Sequence, residues 1–108
     1  MSSQWEDFLK DILDDAGILL KEEIRQLIEQ AKHDSENFLQ RQGEKIEKYL
    51  NQLAAGKITK KQFKSYLIDI TALTEMHALQ LSVAARARAQ RFVLGIIELL
   101  IDRLLSLL

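Results

Sequence analysis

The segment Leu53-Ala54-Ala55-Gly56-Lys57-Ile58-Thr59 places a helix stop directly before a helix start. Gly56 suits the C′ position of a helix, where the backbone is left-handed and a Cβ is penalised. Thr59 supplies an N-cap hydroxyl, and Gln62 three residues later completes a capping box. Together these signals predict two helices joined by a tight turn.

The composition predicts an all-α protein. The 108 residues include no Pro and four Gly, the two residue types that interrupt helices. We expect a single domain, residues 1–108, folded as a long antiparallel helical hairpin with arms at about 3–55 and 59–108 and a turn at 56–58. At 1.5 Å per residue each arm would be ~75 Å long. A short N-terminal helix broken at Gly17 is the alternative for the first arm.

Inward positions recur every eleven residues, which corresponds to nearly straight or slightly right-handed helix packing. A strict heptad fits less well, because it would put charged residues in the seam. In the first arm the repeat runs through Leu20, Ala31, Gln42 and Leu53, and in the second arm through Phe63, Thr74, Ala85, Ile96 and Leu107.

The C-terminal segment, residues 92–108, is apolar nearly all round, with twelve apolar residues among seventeen. Such a helix must be covered by more than one neighbour, and the other arm of a hairpin covers only one side of it. The segment therefore predicts self-association, most simply as a dimeric four-helix bundle. The residues expected to contact another chain, or lipid in the alternative interpretation, are Trp5, Phe8, Ile12, Phe92, Ile96, Leu100 and Leu104.

Charge is distributed unevenly along the chain. Residues 1–36 carry ten acidic and four basic side chains, a net charge of −6, whereas residues 37–68 carry seven basic and two acidic ones, a net charge of +5. A hairpin folded at Gly56 would have a basic tip and an acidic far end.

The basic tip comprises Lys57, Lys60, Lys61 and Lys64. These lysines could bind nucleic-acid phosphates, solubilise the turn, or face the acidic region of a second copy. Within one hairpin, Arg86, Arg88 and Arg91 are expected opposite Glu22, Glu23 and Glu29.

No motif in the sequence indicates catalysis, a metal site or a cofactor. There is no Cys, and the four glycines are isolated, so thiolate sites and a phosphate-binding glycine loop are excluded. The histidines, His33 and His77, lack the Glu-x-x-His pattern of helical di-metal sites, because Gln30 and Thr74 stand three residues before them. We expect a non-enzyme without cofactor or metal.

The N-terminus predicts no secretory signal peptide, because it is acidic and has no apolar core region. No uncharged run reaches the roughly 20 residues that a membrane span requires. We therefore predict a cytoplasmic protein.

Three stretches resemble small uncharacterised helical bacterial proteins. They are Leu53-x-x-Gly56-x-Ile58-Thr59-x-x-x-Phe63-x-x-x-Leu67, Glu75-Met76-x-Ala78-Leu79 and Phe92-x-x-x-Ile96-Ile97. The resemblance covers about the second half of the chain and implies a bacterial source, with no activity or site residues.

The sequence favours a non-catalytic helical interaction or assembly protein that acts as a homo-oligomer, with a dimer preferred. A separate protein partner is an open alternative. So are association with a membrane or lipid surface through residues 92–108, and nucleic-acid binding by a hairpin dimer through its basic turn.

Overall fold

The computed structural model describes residues 4–12 and 15–108, and side chains for residues 4–11 and 17–108. Five α-helices follow one another along the described chain: α1 (Gln4–Ile12), α2 (Asp15–Lys32), α3 (Asn37–Ala54), α4 (Lys60–Ala78) and α5 (Val83–Gly95). A π-helical segment, Ile96–Leu104, continues α5 and ends in one α-helical turn, Leu105–Leu107. The described residues contain no strand, which confirms the all-α prediction.

The turn at Gly56 has the predicted geometry. Gly56 adopts a φ of 72°, its N–H donates to the carbonyl of Leu53, and the N–H of Lys57 donates to the carbonyl of Gln52. This pair of bonds is the Schellman motif that satisfies the last carbonyls of α3. The capping box of α4 is also formed: Thr59 Oγ1 accepts from the backbone N–H of Gln62, whose side chain accepts from the N–H of Thr59.

Each of the two long arms of the predicted hairpin contains a turn that the prediction did not include. Residues 33–36 separate α2 from α3, and residues 79–82 separate α4 from α5. The molecule consequently measures 40 × 24 × 22 Å, instead of the ~75 Å length expected of uninterrupted arms. The expected start of the first arm, residue 3, lies outside the described residues.

Local side-chain bonds account for the two additional turns. In the first, Asp34 Oδ1 accepts from the backbone N–H of Glu36 at 2.9 Å, which offers the backbone an alternative to continuing the helix. In the second, Ser82 is the N-cap of α5 and accepts from the N–H of Ala85. Arg86 Nε donates to the carbonyl of Ala78 and so satisfies the end of α4.

Because of these reversals the chain covers its own core. Each helix from α2 onward packs on the one before it, and the π-helical segment returns to pack against α2 and α4. The helix α1 packs across α2 and α3, where the backbone N–H of Trp5 donates to Asn51 Oδ1 at 3.0 Å. Helices α2 and α3 approach closely at Gly43, where an added Cβ would lie 2.8 Å from the Cβ of Ala31.

The predicted eleven-residue repeat correctly identifies most of the inward positions. Eight of its nine residues are at most 9 % exposed, including the polar Gln42 and Thr74, whereas Leu107 is 56 % exposed. The hydroxyl of Thr74 is satisfied by donation to the carbonyl of Ile70 at 2.7 Å.

Gly17 does not break a helix, because it lies buried inside α2. The described N-terminal helix, α1, ends at Ile12, five residues earlier. Gly17 is therefore not the end of the described N-terminal helix.

Candidate functional site

The residues predicted to contact lipid or a second chain are mostly enclosed by the chain itself. The exposed fractions are 1 % for Trp5, 5 % for Phe92 and 0 % for Ile96, Leu100 and Leu104. Phe8 is partly buried against the same core, and the side chain of Ile12 lies outside the described set. Within one chain α2 and α4 pack against the π-helical segment and cover its buried side chains. The contact of these residues with lipid or a second chain stays a prediction. The extra turn at residues 33–36 makes this possible, because it folds α2 back beside α3.

The basic tip is exposed at all four predicted lysines, Lys57, Lys60, Lys61 and Lys64. The expected separation of charge is wrong, however. The acidic helix α1 packs on α3, and Gln4 and Lys57 line one shallow groove at the tip. Since α2 reverses direction at residues 33–36, the acidic N-terminal region lies near the basic tip and not at the far end of a rod.

The solvent side of α4 carries an apolar stripe that was not predicted from the sequence. It consists of Ile68, Ala72 and Met76 on one face of α4 and of Leu79, the C-cap residue, which has a helical backbone conformation and extends the same face. The exposed fractions are 49 % for Ile68, 68 % for Met76 and 74 % for Leu79. We refer to these four residues as the α4 stripe. The spacing alone could have revealed it, but the inward repeat on the opposite face of α4 dominated the pattern.

Helix α4 is therefore apolar on two opposite faces. Its inner face buries Phe63, Leu67, Ile70 and Ala78 in the core, while the α4 stripe faces solvent. A helix that is apolar on both sides is typical of one covered on both sides, and contiguous exposed apolar residues mark interaction surfaces.

A cleft of about 540 Å³ opens on another side of the molecule, between the C-terminal half of α2, the turn at residues 33–36 and α5. Its floor is apolar and includes Leu27, Leu39 and Phe92, of which the last two are buried. Its rim is polar and includes Gln30 and Arg91. An apolar floor with a few polar groups at the mouth is the usual composition of a small-molecule site.

One ion pair organises the polar wall of this cleft. Arg88 Nε donates to Asp34 Oδ2 at 2.9 Å and Arg88 Nη2 donates to Asp34 Oδ1 at 3.3 Å, while Nη2 also lies 3.3 Å from Ser35 Oγ. The Asp34 side chain is only 8 % exposed. Burial alone would raise the pKa of Asp34, but the hydrogen bonds from Arg88 and from the backbone N–H of Glu36 outweigh it and hold that pKa below its ordinary value.

The three arginines of α5 differ from their expected pairing with Glu22, Glu23 and Glu29. Arg86 bonds carbonyls at the end of α4, and Arg88 bonds Asp34. It is Arg103, in the π-helical segment, that pairs with Glu23, at 2.7 Å. Arg91 is exposed at the cleft rim, and within the described residues it makes no hydrogen bond or ion pair. The expected pairing assumed an uninterrupted second arm, which the turn at residues 79–82 excludes.

The two histidines have separate local partners. His33 Nδ1 lies 2.8 Å from the carbonyl oxygen of Glu29, and the ring of His77 stacks on Phe38 with 3.9 Å between ring centroids. No group of three or more His, Asp or Glu side chains is placed to hold a metal ion, as far as the described ranges extend.

Comparisons with known proteins return no match to a family model, to a curated protein or to a solved structure. The resemblance to helical bacterial proteins stays an expectation. Within residues 4–12 and 15–108, no helix combines the length and the apolar character needed to cross a bilayer.

Proposed function

We propose that this chain is a non-catalytic interaction protein that assembles as a homodimer through the α4 stripe. The observation that carries the proposal is the exposure of Met76 on α4 and of Leu79 at its C-cap, at 68 % and 74 %, while the other face of α4 is already buried. The core residues of one chain need no second chain to cover them, and the solvent side of α4 offers several exposed apolar side chains in a row for assembly.

A second copy is the occupant that the charges favour. Lys64 and Glu75 lie along the same edge of the α4 stripe, eleven residues apart, both exposed. In a two-fold symmetric pair of antiparallel α4 helices, the same edges of the two helices adjoin. Lys64 of each copy then approaches Glu75 of the other, which favours the antiparallel orientation. In this register Ile68 and Ala72 lie near their counterparts, and Met76 and Leu79 pack on the first turns of the second copy's α4, along the aliphatic part of Lys61.

The solution mass tests this proposal. We expect light scattering behind a sizing column to give twice the chain mass of 12.5 kDa. The double variant Met76→Glu, Leu79→Glu should give the single-chain mass with unchanged helical circular dichroism, because both side chains are exposed and contribute little to the core.

The matched control is Leu94→Glu, which introduces the same charge at an exposed leucine of α5, 55 % exposed and outside the α4 stripe. It should remain dimeric. A monomeric parent protein, or a double variant that still dimerises, would refute assembly through the α4 stripe.

Two other proposals rank below the dimer. Lipid association through residues 92–108 requires the buried side chains of the π-helical segment to leave the core, so adding vesicles should not change the elution of the protein. Nucleic-acid binding is supported by the exposure of the four lysines of the basic tip, but the acidic helix α1 lies close by and weakens the attraction of this end for phosphates.

A further inference from the structure

The cleft between α2 and α5 has no part in the proposed dimer, and its dimensions suit a small ligand. Its volume of about 540 Å³ falls within the range of roughly 300–1,000 Å³ that small-molecule sites occupy. Leu27, Leu39 and Phe92 give it an apolar floor on which a hydrocarbon chain or ring can pack.

The charged side chains on the wall of the cleft determine what charge a ligand should carry. Two cationic side chains line the cleft on α5, three residues apart, and therefore on one helix face. Arg88 is engaged by the carboxylate of Asp34, so its charge is neutralised within the wall. Arg91 has no such partner among the described residues, and its guanidinium can donate two parallel hydrogen bonds to one carboxylate.

We infer that the cleft binds a small amphipathic monoanion, a carboxylic acid with an apolar body. The apolar part lies on the floor formed by Leu27, Leu39 and Phe92, and the carboxylate is held at the mouth by Arg91. One uncompensated guanidinium matches a single negative charge. A cationic ligand would meet the two arginines, and a neutral one would leave Arg91 without a partner.

Octanoate and 1-octanol form a matched pair of probes, because they share the hydrocarbon chain and differ in charge. In a titration followed by two-dimensional amide NMR of the full chain, octanoate should shift the backbone amides of Gln30, Ser35 and Arg91 in a saturable way. The variant Arg91→Gln should weaken octanoate binding about tenfold and leave 1-octanol binding unchanged. Arg91 is exposed, so its replacement should leave the fold intact.

Two further variants test separately whether binding depends on overall positive charge and whether it depends on the free volume of the cleft. Lys57→Gln removes an exposed cation of the basic tip that does not line the cleft, and it should leave octanoate affinity unchanged. Gln30→Trp places a large side chain at the rim and should weaken both probes.

Equal affinity for octanoate and 1-octanol in the parent protein would overturn the inference. So would shifts confined to the α4 stripe, an unchanged octanoate affinity in Arg91→Gln, or the absence of saturable binding.

Discussion

Asp34 connects two parts of the chain that are far apart in sequence but adjacent in the fold. Its carboxylate accepts from the backbone N–H of Glu36, which shapes the turn after α2, and from Arg88 on α5, 54 residues away. Both bonds favour the ionised carboxylate, so the pKa of Asp34 is lowered although burial opposes ionisation. A residue with a lowered pKa in the folded state makes stability depend on pH.

We predict that Asp34→Asn lowers the free energy of unfolding by about 2 kcal/mol at pH 7, the usual size of a hydrogen-bonded contact to a charged group. Because the folded-state pKa is the lower one, the stabilisation is complete above the unfolded value of about 3.9 and is lost as the pH falls through the folded-state value. Urea unfolding between pH 7 and pH 2.5 should therefore show the parent and the variant converging in acid.

The control for this experiment is Glu98→Gln, which removes an exposed carboxylate from the π-helical segment. Its stability should stay close to that of the parent at pH 7. If the difference between the parent and Asp34→Asn were the same at pH 2.5 as at pH 7, the ionised carboxylate would not be the source of the stabilisation.

Among the elements, the turn at Gly56 was predictable because its determinants are local: a glycine for the left-handed residue and a capping box whose two residues, Thr59 and Gln62, are three positions apart. The turns at residues 33–36 and 79–82 also have local signals, the polar run from His33 to Asn37 and the N-cap Ser82. The eleven-residue repeat obscured them, because each turn occupies four residues and keeps the inward positions of the flanking helices in phase.

The positions of the candidate sites follow from the turns at residues 33–36 and 79–82, which the prediction did not include. Once α2 folds back, the apolar segment 92–108 has an intramolecular partner, so predicted contact residues such as Leu100 become core. The cleft is formed by residues more than 50 positions apart, Asp34 and Arg88 among them, and periodicity within one helix carries no information on such pairs. The α4 stripe, by contrast, is visible in the sequence as a second apolar face.

Helices α2 and α3 approach so closely at Gly43 that we expect even a small side chain there to lower stability. A Cβ at this position would lie 2.8 Å from the Cβ of Ala31 and 3.1 Å from the backbone nitrogen of Lys32. Gly43→Ala gains about 1 kcal/mol of helix propensity, but the two helices must separate, at a cost of typically 1–3 kcal/mol. We expect a net loss in the free energy of unfolding, measured by urea denaturation.

A second substitution identifies the cause. Ala31→Gly removes the nearer of the two contacts, so the double variant Gly43→Ala, Ala31→Gly should lose less stability than the sum of the two single variants. If Gly43→Ala proved more stable than the parent, as for a glycine on an exposed helix, the helices would not be in contact at this point.

At the scale of the whole molecule, the arrangement of the proposed dimer determines which charged residues of α4 come close to each other. If Lys64 of each copy approaches Glu75 of the other, the two-fold axis crosses α4 midway between these residues, next to Asp69. Asp69 is exposed and lies on the other edge of the α4 stripe, so in this arrangement it comes beside the Asp69 of the second copy. Like charges at close range disfavour association, and the effect is reduced by salt.

We therefore predict that Asp69→Asn tightens the dimer several-fold at low ionic strength, with the gain shrinking at high salt, as measured by sedimentation equilibrium. Glu75→Gln should do the opposite, because it removes the partner of Lys64 while taking away a charge of the same sign. Both substitutions remove one negative charge, at positions six residues apart. If the charges of α4 acted only by non-specific repulsion, both variants would associate more tightly. Opposite effects would therefore support the symmetric antiparallel pair. If both substitutions strengthened the dimer equally, the antiparallel pairing of the two α4 helices would be refuted.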